Sequence, residues 1–474
     1  MDVRVKEVLE GEDRSSLAPE ILELSLISSC DSSCLACWCH SPLIREEKER
    51  KEGEYLTLEE IESVVRGLSK KGLKEVQVSG SGEPLLHPHI RDILKLLKEE
   101  GLRVHLVTNF LSADEEDLSS FVDTPLDTIT VSLWAGTPET FVLLHPNREE
   151  KDFMDITDKI KRLRRMREEK NQINPRIRIY HVLNHLNSQE MGDMFKHALQ
   201  AGADMIEFKC VDVIPGKTDF LSLTSEDISS IRRSIKEIRE NMDFPYSSGY
   251  NPLEVPHLRV FPDISLRKEL MDSGRYLLTS FLPPGFRISF EKMDPDNPEP
   301  HQLNIRCPKN RVNHRSILKE EPHQTFSFFY FREYCKECSR LKHCFGKSEV
   351  KEVKLPYLSI LALGRLEREL ESYQRYGTYA QEIVDKIPCY AGWLYARIEA
   401  DGEVIPCCKG HNFPVGNIRE KGFWEIWNGA TERIFRREGR RLKKDSPLFS
   451  LIGCRKGCDN IGMNISFHGK IISG

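Results

Sequence analysis

Short apolar runs of strand length alternate along the first half of the chain with longer stretches whose apolar residues recur every three or four positions. The short runs fall at residues 22–27, 75–78, 103–107, 128–133, 178–182 and 205–208. The longer ones, at 57–70, 89–100, 153–168 and 189–201, carry the period of an amphipathic helix. A strand followed by a helix, six times over, predicts a parallel sheet with helices packed on it. Six such units suit an open barrel, so the expected fold class is α/β, a partial six-unit TIM-like barrel over residues 22–215. Residues 1–21 form an N-terminal segment. Behind the barrel, a helical piece at 225–241 precedes stretches dense in Pro, Gly and Asp at 244–262 and 283–300, which read as a bridging region over 216–300. Residues 301–474 are cysteine-rich and are expected to form a small α+β domain, with a helix at 358–376 between two cysteine groups. No internal repeat or low-complexity tract interrupts this order.

Composition narrows the class. A chain of 474 residues is long enough for two or three domains, and 39% hydrophobic with 30% charged residues describes neither a membrane protein nor a disordered one. A net charge of −5 argues against nucleic acid or an anionic membrane as a bulk partner, and the runs at 45–51 and 437–444 read as solvated faces. The first twenty residues lack the apolar run of a signal peptide or a spanning helix, so a cytoplasmic location is expected. In such a chain the 14 cysteines point to metal thiolates rather than to disulfides. They are clustered: Cys30, Cys34, Cys37 and Cys39, then Cys210 alone, then nine between Cys307 and Cys458.

The first predicted strand runs into Cys30, so this cysteine loop leaves the carboxyl end of a strand, where barrel active sites are built. Cys30, Cys34 and Cys37 have the spacing C-x3-C-x2-C. Three thiolates so spaced suit three irons of a cubane and leave the fourth iron open to the amino and carboxylate groups of S-adenosylmethionine. A structural zinc knuckle, completed by Cys39 or His40, is the alternative for these residues alone. With Ser79-Gly80-Ser81-Gly82-Glu83-Pro84 after the second strand, the region 20–215 resembles the radical S-adenosylmethionine (radical SAM) superfamily. The resemblance implies that Ser81, Gly82 and Glu83 form the segment that takes the methionyl amino group through backbone oxygens, with Ser81 in the first Gly position of the family's Gly-Gly-Glu. It places Thr108, Asn109, Ser132 and Asn184 or Asn187 at strand ends that contact the methionyl carboxylate or the ribose, positions that strand-end caps also fill. The family carries an aromatic residue before the third cysteine, near the adenine. Here that residue is Ala36, and Trp38, after the third cysteine, is the candidate to replace it.

The late cysteines divide into Cys307, Cys335, Cys338 and Cys344, and then Cys389, Cys407, Cys408, Cys454 and Cys458. Four thiolates satisfy one fully protein-ligated 4Fe-4S cluster, and of the adjacent Cys407 and Cys408 we take Cys407 as the ligand. Cys389, the spacing Gly402-x4-Cys407, Gly416-Asn417-Ile418 and Glu425-Ile426-Trp427 resemble the SPASM extension of radical SAM enzymes, which houses auxiliary clusters. Its C-x2-C-x5-C element stands here before the hairpin, at Cys335, Cys338 and Cys344, which is an atypical order. The resemblance implies a radical SAM 4Fe-4S cluster and two auxiliary 4Fe-4S clusters, one of which is zinc in the alternative. Cys39, Cys210 and Cys408 remain unassigned. Cys210 closes the sixth strand and is either a hydrogen-atom donor to a substrate radical or an inert core thiol.

The function so implied is reductive cleavage of S-adenosylmethionine to a 5′-deoxyadenosyl radical that abstracts hydrogen from a substrate C–H bond, the work of an oxidoreductase, epimerase or modifying enzyme. An electron donor such as flavodoxin or ferredoxin is the implied partner. SPASM-bearing relatives often act on peptides, so a peptide or protein substrate is expected first. The few residues before the first strand leave little room for a leader-recognition domain, which keeps a carbohydrate or nucleotide-sugar dehydrogenase or epimerase as the second expectation. A non-catalytic zinc or electron-transfer module is the rival of another class.

Overall fold

The computed structural model describes residues 2–44, 53–170, 172, 174–241, 287–291, 302–306, 313–317, 357–454 and 457–473. Cys307, Cys335, Cys338 and Cys344 lie outside them. The chain divides into two compact units: Met1–Ala203 with Phe208–Ile231 and Leu366–Gly474, and Asp204–Glu207 with Arg232–Arg365.

The first unit is built on strands β1 (Ile21–Ser25), β2 (Glu75–Ser79), β3 (Arg103–Thr108), β4 (Thr128–Ser132), β5 (Arg176–Leu183) and the second half of β6 (Met205–Cys210), the six expected from the pattern. The first five pair in parallel, in sequence order. Helices Leu58–Ser69, Ile90–Glu99, Glu150–Glu169 and Met191–Ala201 fill the expected places between them. Their limits follow from capping chemistry: Thr57 and Glu60 form a reciprocal box at the start of Leu58–Ser69. Two shorter helices, Glu115–Asp123 and Pro138–Leu144, span too few turns to show a period.

Strand alternation separates two faces. Leu22, Val76, Val78, Val104, Leu106, Ile129, Val131, Ile177 and Ile179 are fully buried and form the layer shared with the helices. The opposite face carries Glu23, Ser25, Gln77, Ser79, His105, Thr130, Ser132, Arg178 and Tyr180, a polar face unlike that of a parallel sheet covered on both sides.

The late half joins this sheet. β10 (Tyr395–Ile398) pairs in parallel with β1, setting Arg397 opposite Glu23, and continues through antiparallel β11 (Glu403–Ile405) to β12 (Gly416–Asn417). The nine-stranded order is β12-β11-β10-β1-β2-β3-β4-β5-β6. The expected α/β sheet is present, and three strands from the cysteine-rich half, expected in a separate domain, widen it into a mixed sheet. In the second unit β7 (Arg287–Glu291), β8 (Gln302–Arg306) and β9 (Asn313–Ile317) form an antiparallel meander. Among the described residues no helix is long and apolar enough to cross a membrane.

Candidate active site

The cysteine loop begins where β1 ends. Backbone N–H groups point at its sulfurs: Cys39 and His40 donate to Cys37 Sγ at 3.2 and 3.1 Å, and Ser32 lies 3.5 Å from Cys30 Sγ. Burial pushes the Cys30 thiol up to about 12 and the Cys34 thiol well above its ordinary value, and Cys37 and Cys30 add to the rise at Cys34. Cys30 and Cys34, whose ionisation the neighbouring thiols oppose, and Cys37, whose sulfur accepts two backbone N–H groups, suit a cationic metal group, which would reverse that penalty. The residues fit an iron–sulfur cluster. Asp31 anchors the loop, accepting from Asn109 Nδ2 at 2.6 Å and Ser112 Oγ at 2.7 Å, with Arg148 3.5 Å away.

The glycine-rich segment packs directly beneath. A Cβ on Gly82 would stand 2.2 Å from the Ser29 carbonyl oxygen, and one on Gly80, whose φ is +127°, 2.3 Å from Ser25 Oγ, so only glycine fits at either position. Glu83 is 3% exposed and accepts from Thr108 Oγ1 at 2.6 Å, Asn109 N at 2.8 Å and Leu85 N at 3.1 Å. Thr108 and Asn109 are thus brought to the segment, as ties between β2 and β3. Phe110, which follows, is buried at φ 65°. Such a conformation in a bulky residue persists only where its surroundings fix it.

Burial outweighs the three donors and pushes the Glu83 carboxyl up to about 7. An acid whose folded value lies above its unfolded one takes up a proton on folding. Its contribution to stability is therefore full below about pH 4.5 and is lost as pH rises through about 7. In the metal-free protein Glu83→Gln is expected to flatten the pH dependence of the urea midpoint between about pH 4.5 and 7. Glu83→Ala, which strands three donors, is expected to cost about 2–4 kcal/mol at any pH in that range.

Ser132 ends β4 on the polar face, opposite Tyr180. Asn184 and Asn187 are both fully buried and serve the loop after β5. Asn187 donates to the carbonyls of Trp134 and Val182, each at 2.8 Å, and accepts from the Asn184 amide at 2.8 Å, while Asn184 Oδ1 accepts from Leu186 N at 2.9 Å. These amides stitch β4 to β5 through Trp134, itself at φ 61°.

Cys389, Cys407, Cys408, Cys454 and Cys458 are near enough to raise one another's thiols, while among the described residues no three His, Cys, Asp or Glu groups stand close enough to hold a single metal ion. Burial raises the Cys407 thiol well above its ordinary value, and Cys408, Cys454 and Cys389 raise it further. Cys458 is pushed up to about 12 by burial, with Cys408 and Cys389 adding to it. Cys389, Cys407 and Cys454 pack against Phe435, Phe449 and Ile452. This donor set also fits a thiolate-bound metal group.

Residues next to the two cysteine groups meet in one network that sequence reasoning missed. Trp38, 44% exposed, donates from Nε1 to the Asp212 carbonyl at 2.8 Å. Lys409, two residues after Cys407, pairs with the Asp212 carboxylate and lies 5.6 Å from the Tyr379 ring centre. Tyr379 donates to Asp459 Oδ1 at 2.6 Å, and Asp459, beside Cys458, also pairs with Lys209 and lies 3.7 Å from Cys408 Sγ. Trp38 was singled out with the cysteine loop, but no motif announced Lys209, Asp212, Tyr379, Lys409 or Asp459, because they are scattered along the chain. Cys210 is buried at the end of β6. It shares a strand face with Phe208, which stacks on buried His181 at 5.4 Å, and its thiol is raised well above the ordinary value by burial and then by Glu369.

Residues 24–198 match the sequence profile of the Radical SAM superfamily. Residues 389–455 match that of SPASM, an iron-sulfur cluster-binding domain. The chain thus carries a region similar to the radical SAM superfamily and a second similar to SPASM, and together these two domains imply 4Fe-4S clusters and S-adenosylmethionine as cofactors. The GTP 3′,8-cyclase of Aquifex aeolicus is 33% identical over 129 residues, 27% of this chain and 39% of that one. A probable GTP 3′,8-cyclase of Methanocaldococcus jannaschii is 31% identical over 121 residues, 25% of this chain and 38% of that one. The chain thus spans about two fifths of the length of these curated relatives. Among solved structures, Streptococcus suis SuiB bound to S-adenosylmethionine aligns with a TM-score of 0.49 and 13% identity over 90% of this chain and 70% of that chain.

Proposed function

We propose that this enzyme abstracts a hydrogen atom from a peptide or protein substrate, using Cys30, Cys34 and Cys37 to hold the S-adenosylmethionine-cleaving cluster. Cys389, Cys407, Cys454 and Cys458 hold an auxiliary cluster, and Cys307, Cys335, Cys338 and Cys344 are the ligands proposed for a second. When bound, these groups supply an electron from a donor such as flavodoxin or ferredoxin, a 5′-deoxyadenosyl radical, and a sink for the electron that a substrate radical gives up. The observation that carries the reading is the network of Trp38, Asp212, Lys409, Tyr379 and Asp459, which joins the residue after Cys37 to those after Cys407 and Cys458. An electron sink held beside the radical-generating loop suits oxidation of the substrate. The SPASM module, common in peptide-modifying relatives, supports a peptide over a sugar.

The chain's own groups orient and shield. Glu83 fixes the glycine-rich segment whose backbone oxygens receive the methionyl ammonium. Trp38, held through Nε1, offers its exposed ring as a wall beside the cysteine loop. Tyr379 and the two lysine–aspartate pairs brace the loops beside Cys37, Cys408 and Cys458, which helps to position one substrate hydrogen.

Anaerobically purified protein is expected to be brown, to hold about eight to twelve irons per chain and to release 5′-deoxyadenosine only with dithionite. Zinc with no deoxyadenosine would defeat the enzyme reading. Deuterium moving into deoxyadenosine from labelled peptides supports the substrate class. Transfer from labelled sugars alone would overturn it in favour of the carbohydrate reading.

A further inference from the structure

The middle residue of the glycine-rich segment is the one position there that admits a side chain, since a Cβ at Gly80 or Gly82 would overlap Ser25 or the Ser29 carbonyl. That residue is Ser81, which stands where the superfamily pattern has glycine. Its hydroxyl donates to Glu399 Oε2 at 2.9 Å and accepts from Arg397 Nη2 at 3.2 Å, while its backbone N–H donates to Ser25 Oγ at 2.9 Å. Glu399 and Arg397 come from β10 and the turn after it, more than 300 residues away in sequence.

This contact belongs to a buried charge set. Arg397 pairs with Glu399 at 2.7 Å and with Glu23 at 3.4 Å. Glu23 in turn accepts from Ser79 Oγ at 2.6 Å and from the Tyr395 hydroxyl. Burial disfavours the charge on Glu399, yet Arg397 and then His411, 3.4 Å away, hold its carboxyl below the usual range. Side-chain exposures of 9% for Arg397 and Glu23 and 12% for Glu399 make these pairs well shielded from solvent. An acceptor that stays ionised in so dry a place binds a hydroxyl more strongly than a neutral one does.

We propose that Glu399 and Arg397 are positioning residues for S-adenosylmethionine, holding Ser81 so that the segment's backbone oxygens are fixed to receive the methionyl ammonium. The late half of the chain therefore sets cofactor affinity as well as housing clusters. The proposal rests on the radical SAM reading above.

The test is equilibrium dialysis of S-adenosylmethionine against the anaerobic, cluster-loaded holoenzyme, with iron content and thermal midpoint measured alongside. Ser81→Ala removes only the hydroxyl and is expected to weaken binding about five- to tenfold with iron content unchanged. Glu399→Gln is expected to weaken binding similarly, and the double variant no more than the weaker-binding single one, the mark of one shared contact. In turnover, KM for S-adenosylmethionine should rise while kcat at saturation holds. Equal binding by Ser81→Ala and the unsubstituted holoenzyme would overturn the proposal and leave the enzyme reading intact. Additive losses in the double variant would overturn the shared contact. An unsubstituted holoenzyme that binds no S-adenosylmethionine would overturn both.

Discussion

Cys34→Ala is expected to remove the iron of the first centre, about four atoms per chain, and with it all dithionite-dependent formation of 5′-deoxyadenosine. The ionisation of Cys34 is opposed first by burial and then by Cys37 and Cys30. A backbone hydrogen bond offsets part of that cost and a bound cation would offset the rest, so two remaining thiolates would form an incomplete and weak site. Iron bound through the late cysteines should persist, because their packing against Phe435 and Phe449 does not involve this loop. Iron analysis, the electron paramagnetic resonance of the reduced protein and chromatography of deoxyadenosine together check the outcome. Full deoxyadenosine release by the variant would remove Cys34 from the ligand set. Cys210→Ala, by contrast, is expected to leave iron unchanged, since that thiol sits with Glu369 and Phe208 in the helix-facing layer.

The second large effect is on stability. Arg436→Ala is expected to lower the free energy of unfolding by about 3–5 kcal/mol, read from urea denaturation. Arg436 and Glu432 are both fully buried, 3.9 Å apart. The guanidinium also donates to the Gly392 carbonyl at 2.5 Å and the Asp13 carbonyl at 3.0 Å, and lies 4.4 Å from the centre of the Trp427 ring. Removing it leaves two carbonyls without their donor and a buried carboxyl without the charge that faces it. Glu432, already pushed up to about 7 by burial, should then become neutral, which caps the loss. These contacts tie the N-terminal segment to the helix Ala391–Leu394 behind Cys389, so retention of auxiliary iron should fall with stability. A loss under about 1 kcal/mol would show that the site relaxes to admit water.

Much of this was legible because it is local. The period of two in β1 to β5 and the period near 3.6 in Leu58–Ser69 or Ile90–Glu99 are written within single segments, and each element forms where its own residues predict it. The spacing of Cys30, Cys34 and Cys37 is local too, as is the run Gly80 to Glu83. The roles of Asn184 and Asn187 were less legible, because an asparagine after a strand serves a ligand or a loop equally well. Here their amide groups are directed to backbone partners in their own loop and at Trp134.

The sequence by itself determined the strand–helix alternation, the glycines that no Cβ can replace, and two groups of thiolates rather than disulfides. Tertiary structure alone decided that β10 pairs with β1, that Glu399 and Arg397 reach Ser81, and that Trp38 meets Lys409 over Asp212. It also decided that Cys210 faces the helices. The reason is physical: periodicity gives each segment two faces, but which partner covers each face depends on long-range burial and charge pairing between segments hundreds of residues apart. Leu22-Glu23-Leu24 and Ala396-Arg397-Ile398 each read as a strand with one charge. Only their pairing turns those charges into a buried Glu23–Arg397 contact at 3.4 Å beneath the cofactor segment.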